Sequence, residues 1–192
     1  MIKKMIYTPN HERGMTLLEM ILLLLLIALT SFALIPLYRS LHESILLEIA
    51  TFHLKQDLQM AKNLASLEER SLTLCGSRDG LHCLGEEERI WPGWLLFYDD
   101  QQQFIPIEET ILHYYPLAKK SRQQLMITTT VNIGGGLNIN ARREYGYGMA
   151  RSLPNGRINI CYQNKARNHQ NLPSFIINVY GYFRLTNEKG SC

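Results

Sequence analysis

Nineteen consecutive residues, Met20 to Tyr38, carry no charge. At about 1.5 Å per residue they make roughly 28 Å of helix, close to the hydrocarbon thickness of a bilayer. No other feature of the chain restricts its fold so strongly. The stretch predicts one membrane-embedded helix, with everything after Arg39 outside the hydrocarbon. Lys3, Lys4 and Arg13 precede it. By the positive-inside bias they keep the N-terminus cytoplasmic and export the rest. A cleaved signal peptide would have a small-residue site after the apolar run, and none follows Leu37.

The apolar pattern continues past the span. Leu47, Ala50, Leu54, Leu58, Ala61 and Ala65 recur every three or four residues. That spacing marks one face of an amphipathic helix, and Glu48, Lys55, Gln59 and Lys62 occupy the other. A single helix is therefore expected from about Met15 to about Leu67, near 80 Å long. Pro36 removes one backbone donor and crowds the preceding turn, so a bend is expected there. The stripe should pack on the domain that follows.

From Ser71 the pattern becomes short runs of β-formers between turn residues. They are Ser71–Cys75, Trp94–Tyr98, Ile111–Tyr115, Leu125–Val131, Leu137–Asn140, Arg157–Tyr162, Phe175–Val179 and Tyr182–Leu185. No helix-length periodic segment separates them. The expected fold class is α+β: a long N-terminal helix packed on antiparallel sheet, in two small sheets. The organisation reads as a leader over 1–14, a membrane half of the helix over 15–39, an amphipathic half over 40–69, and an exported β-rich domain over 70–192.

All four cysteines, Cys75, Cys83, Cys161 and Cys192, lie beyond the span. In an exported domain an even count suggests disulfides, and four cysteines allow three pairings. The local pair Cys75–Cys83 closes a small loop through the turn formers Gly76, Asp79 and Gly80. That leaves Cys161 with Cys192. A zinc site using His82 or His113 would lack the paired short spacings such sites have.

Charge is uneven along the chain. Residues 119–192 hold eleven basic side chains against only Glu144 and Glu188, within a net charge of +3 for the whole. Such asymmetry points to an anionic partner, or to acidic and basic parts that neutralise each other in the fold. Arg142, Arg143, Arg151, Arg157, Lys165, Arg167 and Arg184 lie in this basic third, interleaved with Tyr145, Tyr147 and Tyr162. Cations on phosphates bind by counterion release, and aromatics stack on exposed bases.

Glu19 is the anomaly of the apolar segment. A carboxylate in a helix entering a bilayer needs a partner or a task. A cut between Gly14 and Met15 would create an α-amino group four residues before it. That amine, on a neighbouring chain, could answer Glu19 inside a helical bundle, where low dielectric strengthens the attraction.

The stretch "RGMTLLEMILLLLLIALTSFALIPLY" resembles the N-terminus of a type IV pilin precursor. Gly14 stands before the cut, Glu19 fifth after it and Pro36 late in the apolar run. Met15 stands where phenylalanine is usual. The resemblance implies a prepilin peptidase that cuts after Gly14 and N-methylates Met15. It also implies assembly with a major pilin and other minor pilins through the helix. The subunit would wait in the bacterial inner membrane, with its domain in the periplasm, before reaching the cell surface in a pilus.

The remainder resembles the FimT/GspH group of minor pilins and pseudopilins, in particular its FimT members. The resemblance rests on "SLTLCGSRDGLHCLGEEERIWPGWLLFYDD", with Trp91, Gly93 and Trp94, and on "SLPNGRINICYQ" and "FIINVYGYFRLTNEKGSC". It supports the same cysteine pairing. It implies binding of double-stranded DNA during natural transformation, through a Gly-Arg-x-Arg signature. Gly181 and Arg184 match that signature, while Tyr182 stands in place of its first arginine. Tyr182 can stack on a base but cannot neutralise a phosphate. The other roles open to such a subunit are a GspH-like pseudopilin of a type II secretion system, or a pilus-initiation subunit that binds no DNA. No enzyme constellation, cofactor motif or metal site is found. His42 and His53 have no matched cysteine or carboxylate grouping, and the Gly134–Gly136 run lacks the lysine and helix of a phosphate loop.

Overall fold

The structure is a computed structural model that describes residues 16–117, 125–140, 148–149, 153–163, 171–178, 180, 182–189 and 192. The chain divides into two compact units, Met1–Glu43 and Ser44–Cys192. The α-helix α1 spans Leu17–Glu68. In the first unit its described large apolar side chains, from Leu17 to Leu41, are exposed. Pro36 lies within α1, and its side chain is outside the described residues. Among the described residues no helix is long and apolar enough to cross a membrane.

The second unit holds the core. The helical stripe read from the sequence is the buried one: Ala50, Leu54, Leu58, Ala61 and Ala65 are each at most 1% exposed, and Leu47 packs against them half-buried. Burying one such leucine contributes about 1.5–3 kcal/mol.

Nine strands are described, all paired antiparallel, in two sheets. They are β1 (Leu72–Gly76), β2 (Ile90–Trp91), β3 (Gly93–Tyr98), β4 (Ile111–Pro116), β5 (Leu125–Thr129), β6 (Gly136–Ile139), β7 (Gly156–Tyr162), β8 (Asn171–Ile177) and β9 (Phe183–Lys189). One sheet has the order β4-β3-β1-β6 and the other β2-β5-β7-β8-β9. The helix-on-antiparallel-sheets architecture expected from the pattern is the one observed.

The differences lie in the strand ends. The two-residue β2 is too short to show an alternation. Pro92 follows it and carries the chain from one sheet to the other, since a proline cannot continue a ladder. Its carbonyl instead accepts the Leu117 N–H. β8 begins four residues earlier than expected and contains Pro173. The β7–β8 ladder stops at Asn159 opposite Ser174, one position before that proline, while the β8–β9 ladder runs on. The missing donor therefore falls where only one neighbour pairs.

Both tryptophans are fully buried and both find partners. Trp91 donates to the Gly134 carbonyl at 3.2 Å, and Trp94 donates to Asp57 at 2.6 Å. A second small cluster, Cys75, Leu95 and Phe97 with Ile111 and Tyr114, lies on the other face of the first sheet, with Cys83 against it. Gly80 closes the loop above it at φ 80°, where a Cβ would meet the Tyr114 ring at 2.7 Å. Glycine meets both demands at once.

Candidate functional site

Thr16 and Glu19 form the start of α1. The Glu19 carboxylate accepts from the Thr16 backbone N–H at 2.9 Å and from its hydroxyl at 3.2 Å. The Thr16 hydroxyl in turn accepts from the Glu19 N–H at 3.3 Å. This is a reciprocal capping box, in which Thr-x-x-Glu satisfies helix donors that have no intrahelical acceptor. The Thr-x-x-Glu spacing is a local signature that the sequence itself carries. Glu19 is exposed within its unit. Gly14 and Met15 lie outside the described residues.

The cysteines pair as Cys75–Cys83 and Cys161–Cys192, with Cα separations of 5.6 Å and 6.0 Å. Asp79 organises the smaller loop. Its carboxylate accepts from the Leu81 and His82 N–H groups at 2.9 and 3.0 Å and faces His82 Nδ1 at 2.7 Å. The His82 contact and then the two backbone donors hold the Asp79 carboxyl far below the usual carboxylate range. The second bridge ties Cys192 to β7.

Of the basic residues singled out above, two are described. Arg157 on β7 stands opposite Ile176 on β8, and Ile176 stands opposite Arg184 on β9. Directly opposed residues point to one face of a sheet. Two strand spacings place the two arginines' backbones about 10 Å apart. Arg157 is ion-paired with Glu188, whereas Arg184 is exposed. Arg142, Arg143, Arg151, Lys165, Arg167 and Gly181 lie outside the described residues.

A polar cluster at the seam of helix and sheet escaped the sequence reading. Asp57 is only 4% exposed, at the edge of the buried stripe of α1. Besides Trp94, it accepts from His113 Nδ1 on β4 at 2.8 Å. A carboxylate only accepts, so Nδ1 carries the proton. Tyr115 stacks on Trp94 with ring centroids 4.4 Å apart, and His53 sits 4.8 Å from Tyr115. Burial pushes the Tyr115 phenol up. The partners are separated by 37 and 56 positions, so no local pattern announces them. The arrangement clamps α1 to β3 and β4. Among the described residues no group of three or more metal-ligating side chains could hold a metal ion.

No family model matches the chain, and no curated protein matches it. Among solved structures it is similar to the crystal structure of the Pseudomonas aeruginosa (strain PAO1) type IV minor pilin FimU. That likeness has a TM-score of 0.46 and 13% identity, and covers 73% of this chain and 92% of that one.

Proposed function

We propose that the chain is a minor pilin of the type IV class, of FimT type. It is cut after Gly14, methylated on Met15 and held in the inner membrane until it enters a filament, a reading supported by the uncharged run Met20–Tyr38 of the sequence. The observation that carries this reading is the two-sidedness of α1 within the unit Ser44–Cys192. One face, Ala50 to Ala65, is buried in the domain core. On the diametrically opposite face, by the 3.6-residue period, lie Ile45, Ile49 and Phe52, exposed at 44, 41 and 62%. An apolar stripe facing away from its own core is an unused packing surface. In a filament it meets the helices of neighbouring pilins, and Glu19 then exchanges its Thr16 cap for a neighbour's terminal amine.

Capture of duplex DNA by the exported domain is the finer part of the proposal. Its support is the basic balance of residues 119–192 and the register that sets Arg157 and Arg184 on one sheet face. Glu188 offsets the charge of Arg157, so among the described cations of that row Arg184 is the one open to a phosphate.

The test is incorporation. Filaments sheared from cells should contain the wild-type chain and lack the Ile49→Glu/Phe52→Glu double variant, with both present at equal levels in membranes. A double variant recovered in filaments at wild-type levels would remove the assembly reading.

A further inference from the structure

A groove of about 720 Å³ runs between α1 and β9, lined by Lys55, Gln59, Lys62, Asn63, Phe183 and Leu185. Side chains alternate along a strand, so Phe183 and Leu185 face the helix while Arg184 points to the other side of β9. The groove is therefore separate from the Arg157–Arg184 row. Lys55 and Lys62 are seven positions apart on one helical face, about 10.5 Å along the axis. Among the described residues no carboxylate lines the groove and neither lysine is in an ion pair. The amides of Gln59 and Asn63 share the lining with the two ammonium groups. Lys62 stands over the exposed Tyr182 ring, 3.5 Å from its centroid. Glu48 comes near only where the groove continues past Lys55 toward Asn171 and Asn187.

We propose that this groove binds a phosphate chain. The inference rests on the DNA reading above and gives it a second contact surface. Lysine ammonium groups act on phosphate as point charges, and amide N–H groups between them supply neutral donors. A DNA duplex carries a charge about every 1.7 Å of its axis, so the span between the lysines faces several phosphates at once. Phe183 and Leu185 wall the groove with apolar surface. Tyr182 forms a lip on which an unpaired base can stack. The acidic Glu48 end sets the limit of the track.

Phosphate chains come from nucleic acid or from inorganic polyphosphate, and the test separates them. The full chain, in nonionic detergent, is titrated with a short DNA duplex and with linear polyphosphate between about 50 and 200 mM salt, the range over which phosphate contacts are strongly weakened. The Lys55→Gln/Lys62→Gln variant should weaken both and make the duplex salt slope shallower by about 1.8, the loss of two phosphate contacts. Lys55 is exposed and Lys62 half-buried over Tyr182, so the variant's thermal melt should fall by no more than the loss of that one cation–π contact. Polyphosphate bound through the lysines with no duplex bound keeps the groove and removes the DNA reading. Duplex binding that Arg184→Gln weakens but the lysine variant leaves unchanged removes the groove and keeps DNA capture. Absence of binding to either probe removes both.

Discussion

The indole N–H of Trp94 and the carboxylate of Asp57 are 2.6 Å apart in the interior, between helix and sheet. Each answers the other's buried polarity, and His113 supplies the second donor. Asp57→Ala leaves a buried donor without acceptor and should cost about 2–4 kcal/mol. Asp57→Asn retains one acceptor oxygen and should cost less. Chemical denaturation of the protein, followed by tryptophan fluorescence from Trp91 and Trp94 in the unit Ser44–Cys192, measures both. An unchanged midpoint for the alanine variant would show that the clamp contributes nothing.

The capping box makes a separate prediction at the other end of α1. Thr16→Ala removes the N-cap acceptor and should cost about 1 kcal/mol of local helix stability. Thr16→Ser should restore it. Amide exchange at Glu19 reads the difference, because its N–H loses the Thr16 hydroxyl as acceptor in the alanine variant alone.

Acid sensitivity follows from two carboxylates. Arg70 holds Asp100 below the usual carboxylate range, chiefly through its hydrogen bond, 2.8 Å from Nη2. His82 does the same for Asp79. A depressed folded pKa contributes stability that is present above the unfolded value, about 3.9, and is lost as pH falls through the folded value. The melting temperature should therefore drop below about pH 4. Asp100→Asn should flatten part of that slope while leaving the neutral-pH contacts of the core intact. A wild-type melting temperature that stayed level through the acid range would contradict the assignment.

The bridge between Cys161 and Cys192 closes 31 positions of chain. Replacing both cysteines with serine should cost about 3–4 kcal/mol by the loop-entropy model. Reducing agent should lower the wild type by this amount plus the contribution of Cys75–Cys83, and the variant by the Cys75–Cys83 contribution alone. Non-reducing peptide mapping checks the pairing itself.

How far the sequence carried depends on the range of each signal. The stripe from Ala50 to Ala65 was legible because helical period and burial act on neighbouring turns. The strand runs were legible where β-formers sit between glycines, as at Trp94–Tyr98. β2 was not, because two residues show no alternation. The strand expected from Phe175 in fact begins at Asn171 and takes in Pro173, since proline needs only one free ladder side. Asp57 looked like any polar helix residue until Trp94 and His113 arrived from distant sequence. The capping box was local and readable, yet the membrane question around Glu19 concealed it. Arg157 stood among the candidate phosphate contacts, and only the tertiary fold brings Glu188 to it, in the way the alternative of mutual neutralisation expected.

The central claim is that the chain is a processed filament subunit. Mass spectrometry of the protein extracted from membranes of cells with an active prepilin peptidase tests it most directly. The account predicts a chain that begins at N-methylated Met15, with Glu19 as its fifth residue. An intact chain beginning at Met1 in those cells would contradict it.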